Sequence, residues 1–237
     1  MALLIRITEA KLSQGLSLAR AFLLFILPLF CCVSDAGEIK ELSVSEVNGE
    51  YCIRIDTVLE APARYVYNII TDYKHAYRIN PAITEVELLP SGHNEVVRVR
   101  NHSEQKVGPL TFQIDWVGDI TESRLGELKV TTISELSSFE SGSAIWEIYP
   151  QGERTRVRHE SSLNPKFIIP PVIGGYIIKR QMENDTLATF DRIECHAKMK
   201  FNIDMENDPD ILRVLLAQAN PCNQLYKNET NIVVEEQ

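Results

Sequence analysis

The chain has 237 residues, 44% of them hydrophobic and 24% charged, with 24 Lys+Arg against 33 Asp+Glu and a formal net charge of −9. That length allows a sizeable core, and the composition excludes chain-wide disorder, a collagen-like repeat (11 Gly) and a dense disulfide scaffold (5 Cys). The acidity argues against a nucleic-acid partner, which would need a basic face.

Residues 21–33 read AFLLFILPLFCCV, an uninterrupted apolar run of 13 preceded by Arg6, Lys11 and Arg20 and followed by Ser34-Asp35-Ala36. A membrane-spanning helix takes about 20 apolar residues. The shorter run predicts a secretory signal peptide over residues 1–36, cut after Ala36, with Ser34 and Ala36 as the small residues at the cleavage site. A buried N-terminal helix is the other reading, but the run is apolar on every side and lacks the stripe of a packed helix. Leu29-Phe30 before Cys31-Cys32 lacks the small residue of a lipidation site, so cleavage is expected rather than lipid anchoring, with a secreted or periplasmic mature chain. Removing 1–36 takes three Lys/Arg and two Asp/Glu from the totals of 24 and 33, leaving 21 against 31, a net −10. Cys52, Cys195 and Cys222 remain, an odd number in an oxidising compartment. Cys195 with Cys222 is the first pairing to test, since it would fasten the tail to the preceding helix. No cysteine or histidine cluster has metal-site spacing, so no metal is expected.

From Ile39, KELSVSEV and YCIRIDTVLEAP alternate around Asn48-Gly49, a strong hairpin signal. Pro62 then opens a predicted helix at 62–72, with Val66, Ile69, Ile70 and Tyr73 at helical spacing. KHAYRINP follows as a short helical or irregular segment stopped by Pro81. Next come AITEVELLP, EVVRVRNHSEQ, LTFQIDWVGDI, ELKVTTISEL, FESGSAIWEIYP and TRVRHESSL, mostly alternating strands separated by turns, as in an antiparallel meander with one buried face. The 25 residues 176–200 contain no Gly or Pro and predict one long helix. Strands segregated from helices indicate an α+β fold of about seven strands, with two short helices after the first strand. Residues 201–237 carry seven Asp/Glu against Arg213 and Lys227 and read as an acidic, partly disordered extension in which ILRVLLAQA can form a short amphipathic helix.

In this order of elements, EAPARYVYNIITDYKHAYRINPAITEVELLP, GPLTFQIDW and FIIPPVIGGYIIKRQMENDTLATFDRIE resemble the SRPBCC (START-like, Bet v 1-like) helix-grip superfamily, in its polyketide cyclase/dehydrase and coenzyme Q-binding branch. The resemblance covers about residues 38–200. It implies a curved antiparallel sheet wrapped around a long C-terminal helix, with an elongated apolar cavity between them for isoprenoids, quinones, fatty-acyl lipids, sterols or polyketides. A shared fold does not fix the chemistry.

Alternation puts Leu110, Phe112, Ile114 and Trp116 on one strand face, with Trp146 and Ile148 repeating the pattern later. Periodicity does not tell cavity lining from filled core. On the long helix, Val172, Tyr176, Leu187, Phe190 and Ala197 share a face, with Glu183 near its middle and Arg180 at its margin. An unpaired buried carboxylate costs several kcal/mol, so Arg180 and Glu183 read either as a structural pair or as a polar anchor for a ligand head group. Tyr73 and Tyr77 complete the expected cavity set. KFIIPPVIGG reads as a buried connection or as a gate that touches membrane, with Lys166, Lys179 and Arg180 favouring anionic head groups.

GxSxG, HExxH, P-loop and GxGxxG motifs are absent, and no cofactor is expected. His159, between Arg158 and Glu160, reads as a solvated strand position; Asp115 and Glu147 fall opposite the tryptophans. These features favour a monomeric carrier of a hydrophobic small molecule, with a cyclase/aromatase-like enzyme as the alternative and an interaction module with a filled core as a third reading. Two or more convergent polar side chains in a pocket would favour the enzyme, and a nearly all-apolar tunnel would favour carriage. Sequons at Asn101, Asn184 and Asn228 matter only in a eukaryotic secretory pathway. A glycan at Asn184 beside Glu183 would be awkwardly placed, which favours a bacterial periplasm.

Overall fold

The computed structural model describes residues 37–107, 110–124, 126–167, 169, 174–206, 209 and 222. The expected leader and its Cys31 and Cys32 lie outside the described residues, as do Val172, most of the Pro-rich approach to the long helix, the ILRVLLAQA segment and Asn228.

β1 (Glu38–Val47) and β2 (Glu50–Leu59) form the expected hairpin. Its turn residues Asn48 (φ 54°) and Gly49 (φ 84°) both sit in the left-handed region that such a two-residue turn requires. Pro62 leads into α1 (Ala63–Ile70), whose Tyr65, Val66 and Ile70 are buried, and a 3-10 segment follows at Tyr73–Arg78. The meander then runs through β3 (Ile83–Leu89), β4 (Val96–Val107), β5 (Leu110–Arg124), β6 (Glu127–Thr132), β7 (Phe139–Gln151) and β8 (Arg154–Pro165). α2 (Gly174–Met205) ends the described fold. It runs five residues past the expected end at 200, because no Gly or Pro interrupts the chain before Pro209.

The sheet has eight strands rather than about seven, in the order β1-β2-β8-β7-β6-β5-β4-β3, all antiparallel. The β2–β8 pairing brings the last strand back to the first hairpin, and α2 and α1 lie on the same side of the sheet. A dry core fills one end of this space: Ile55, Leu59, Val157 and Ile148 from the sheet, Tyr65 and Val66 from α1, and Phe190, Ile193 and Ala197 from α2. The Tyr65 and Phe201 rings meet edge to face at 5.4 Å and join the two helices. Cys195 of α2 is bonded to Cys222, with Cα atoms 5.8 Å apart, so Cys222 is fastened to the long helix as expected; among the described cysteines Cys52 is a free thiol.

Outward-facing side chains pair across neighbouring strands. Asp56 receives Arg156 Nε at 2.8 Å and Arg158 Nε at 3.2 Å, and Arg98 Nε donates to Asp119 at 2.7 Å. These arginines hold both carboxyls below the usual aspartate range.

Candidate functional site

Beyond the dry core, the space between the sheet and the first half of α2 is hollow. The cavity measures about 490 Å³, within the range of small-molecule sites. Trp146 lines its floor, and beneath that ring, outside the lining, His159 packs at 4.0 Å and Phe190 at 5.6 Å, the latter nearly parallel to it. Alternation explains the walls. Phe112, Ile114, Trp116 and Ile120 point inward from β5, and Leu128, Val130 and Thr132 from β6. Ala144 and Trp146 do so from β7, and Ser161, Leu163 and Pro165 from β8. Phe139 and Phe167 pack together at the β7 end, 6.2 Å apart.

Trp116 is set by two contacts. Its Nε1 donates to Thr132 Oγ1 at 3.0 Å, and its ring lies over Gly118, where a Cβ would stand only 2.3 Å from Cζ2. Glycine is required there for the indole to lie flat against the wall.

The polar side chains of the lining fall in two groups. On β4, Asn101, Ser103 and Gln105 face inward at successive two-residue steps, with Asn80 beside them. The Asn101 Oδ1 is buried without a hydrogen-bond partner among the described residues. Across from the sheet, α2 presents Ile178, Gln181, Met182 and Asp185, an i, i+3, i+4, i+7 stripe. Gln181 Nε2 donates to Asp185 Oδ1 at 2.8 Å, and no described residue partners Oδ2. Burial pushes the Asp185 carboxyl up to about 6 against the lowering effect of that hydrogen bond. At the α1 end, burial raises the Tyr67 and Tyr73 hydroxyls, Tyr73 to about 12. The Glu122 carboxylate, which accepts from Tyr67, adds to both shifts.

Of the twelve residues expected to form the site, Tyr73, Phe112, Ile114, Trp116 and Trp146 line the cavity. Ile148 and Phe190 belong to the dry core below it. Tyr77 is 47% exposed and Tyr176 72% exposed. Arg180 is exposed and donates to the Tyr176 hydroxyl at 3.3 Å; neither it nor Glu183 or Leu187 lines the cavity. α2 is rotated relative to the expected face, so the polar pair it turns toward the cavity is Gln181 with Asp185.

His159 also differs from expectation. Its strand neighbours Arg158 and Glu160 face out, which turns the imidazole inward between Val157 and Ser161. Its Nδ1 is buried without a partner among the described residues, and desolvation pushes the ring down to about 4. Asp115 lies on the outer face as expected, where its carboxylate meets His102 Nδ1 at 3.0 Å.

The family model for polyketide cyclase/dehydrase and lipid transport proteins matches residues 59–188, more than half of the chain. No curated protein sequence matches. Among solved structures, the fold is similar to the ZhuI aromatase/cyclase of a Streptomyces species (15% identity, 64% of this chain and 96% of that one, TM-score 0.53). It is similar also to a Thermus thermophilus protein (15%, 62% and 96%, 0.52) and to a STAR-related lipid transfer protein of Xanthomonas axonopodis (13%, 66% and 98%, 0.50). At such identities the likeness is one of fold: an open antiparallel sheet closed by a long C-terminal helix. With that fold, and with a family match that runs from the end of β2 through α1, β3–β8 and the cavity-facing half of α2, the chain belongs to the polyketide cyclase/dehydrase and lipid transport family.

Proposed function

We propose that the protein binds and carries a hydrophobic small molecule in the cavity between its sheet and α2. The observation that carries this reading is the cavity itself: a space of about 490 Å³ walled mainly by Ile, Val, Leu, Phe and Trp side chains. Apolar surface left open to water is a standing source of binding free energy, about 25 cal/mol for each Å² that a ligand covers. The open space counts against an interaction module whose core fills itself. Isoprenoid, quinone and fatty-acyl ligands all suit such walls. Native mass spectrometry of the full chain tests the reading: a co-purified lipid mass supports it. A protein that comes through empty and also fails to take up a neutral fluorescent probe such as N-phenyl-1-naphthylamine refutes it.

Ligand binding is common to carriage and catalysis, and the lining is not the nearly all-apolar tunnel expected of a pure carrier. Asn101, Ser103, Gln105, Gln181 and Asp185 converge on the cavity, the feature expected of an enzyme, and they support a second reading, a cyclase-type enzyme acting on the bound molecule. Asp185, with its carboxyl near 6 and Oδ2 without a partner among the described residues, is placed to exchange a proton with a bound carbonyl compound, and Asn101, Ser103 and Gln105 are available to orient its oxygens. Turnover of a poly-β-ketone substrate that is lost in Asp185→Asn would favour this reading over simple carriage.

We also propose export, with cleavage after Ala36. The support is the 13-residue apolar run and the Cys195–Cys222 bond, which suits an oxidising compartment. Amino-terminal sequencing of the exported chain, expected to begin at Gly37, tests it. Transient membrane contact is supported by exposed Tyr176 and Ile177 beside Lys179 and Arg180, adjoining Ile178 of the cavity wall. We take the working unit to be a monomer.

A further inference from the structure

The cavity has a chemical bias that its shape alone does not convey. Its described lining includes three ionisable side chains, Tyr51, Tyr73 and Asp185, and no Lys, Arg or His. Burial is the leading cause that raises both tyrosine hydroxyls, so they stay protonated and bring no charge. Asp185 is therefore the one group among the described lining residues that can be charged at neutral pH. Its Oδ1 is held by Gln181 from the preceding turn of α2, and its Oδ2 has no partner among the described residues.

A ligand that reaches Oδ2 meets an acceptor. A carboxylate ligand would bring a second negative charge into a desolvated space with no cation among its described lining residues to face it. At Oδ2 a quinone or ester offers only further acceptors, and its oxygens would have to turn to Asn101, Ser103 or Gln105 instead. A hydroxyl can donate one hydrogen bond, and an ammonium group can donate while also neutralising the carboxylate, the strongest of these pairings. From this geometry we infer that Asp185 makes the cavity selective for apolar molecules that end in a hydrogen-bond donor, an ammonium ahead of a hydroxyl, and closes it to free carboxylate lipids. The inference rests on the ligand-binding reading above and names the ligand's polar end. Acidification should weaken the preference, because Asp185 takes up a proton as pH falls through about 6 and then has no charge to pair.

The test uses the full chain, with decylamine, decanol and decanoic acid displacing N-phenyl-1-naphthylamine at pH 7.5 and pH 5.0. At pH 7.5 decylamine should displace the probe at roughly tenfold lower concentration than decanol, the margin of a charge-assisted over a neutral hydrogen bond, and decanoate should be the weakest. In Asp185→Asn, and in the unmodified protein at pH 5.0, the amine-to-alcohol ratio should shrink to about twofold or less. The pH comparison needs no variant, so it stands even where the substitution impairs folding. Decanoate binding as tightly as decylamine at pH 7.5, or a ratio that survives both protonation and Asp185→Asn, overturns the inference while leaving ligand binding intact. Failure of the probe to bind the unmodified protein overturns the ligand-binding reading and this one with it.

Discussion

Gly118→Ala is a one-carbon test of how the cavity wall is built. The added methyl would stand 2.3 Å from Trp116 Cζ2, 2.6 Å from Cη2 and 3.1 Å from the Thr131 carbonyl oxygen. Carbon atoms settle at about 3.5 Å or more, so the indole must move by about 1 Å. Thr131 and its carbonyl belong to the sheet and cannot yield, which leaves displacement into the cavity. That motion pulls Nε1 away from Thr132 Oγ1, now 3.0 Å distant, at a cost of about 1 kcal/mol. Overpacking adds about 1–3 kcal/mol, while the reduced freedom of the unfolded chain returns about 0.4–1 kcal/mol. A net loss of about 2 kcal/mol is expected, which for a domain of this size lowers Tm by roughly 4–8 °C, together with weaker uptake of an apolar probe. The chain's two tryptophans, Trp116 and Trp146, both line the cavity, so intrinsic fluorescence reports the displaced ring directly. An unchanged emission spectrum, Tm and probe affinity would show that Trp116 does not lie over Gly118.

Two further expectations concern protons. The His159 ring has a folded pKa near 4, below its ordinary value of 6.5, so the stability that its neutral form contributes is complete above about pH 6.5 and is lost as pH falls toward 4. His159→Phe keeps an aromatic ring against Trp146 and should reduce the drop in urea midpoint between pH 7.5 and 5.0; an equal drop in both proteins contradicts the assignment. The reduction should be partial, because burial also lowers His196. Asp56 has the opposite sign: Arg156 and Arg158 depress its pKa, so its contribution is complete above the usual aspartate range and disappears as pH falls through the folded value. Asp56→Asn should cost about 2 kcal/mol at pH 7, and chemical denaturation should show the gap to the unmodified protein closing below about pH 4.

The fold could be read wherever local chemistry left little choice. Asn48-Gly49 permits a tight hairpin, LTFQIDW separates cleanly into two faces, and the absence of Gly or Pro before Pro209 lets one helix run on. The inward position of His159 was present in the same alternation, which its charged neighbours obscured. The site was harder to read for two physical reasons. After Gly174-Gly175, α2 carries Tyr176, Ile177 and Ile178 in succession, apolar side chains on three sides of one turn, so its rotation is set by how it sits on the sheet and not by its own pattern. The β4 wall of Asn101, Ser103 and Gln105 is polar on the inward face as well as the outward one, so no hydrophobic periodicity marks it as lining. The inward position of Phe112, Ile114 and Trp116 is legible because their wall is apolar; that of Gln181 and Asp185 depends on tertiary placement.

The inward register of β4 also bears on how the protein can be made. Asn101 begins the sequence Asn101-His102-Ser103, an acceptor for glycan transfer in a eukaryotic secretory pathway, yet its side chain belongs to the cavity wall and its Oδ1 is buried. Transfer to the nascent chain would place a branched sugar where β4 must turn toward α2, and such a chain could not close. A host that oxidises Cys195 and Cys222 but ignores the sequon, as a bacterial periplasm does, meets both conditions at once; in a eukaryotic secretory host only chains left unmodified at Asn101 would fold, and site-resolved mass analysis of the folded fraction should find no glycan there.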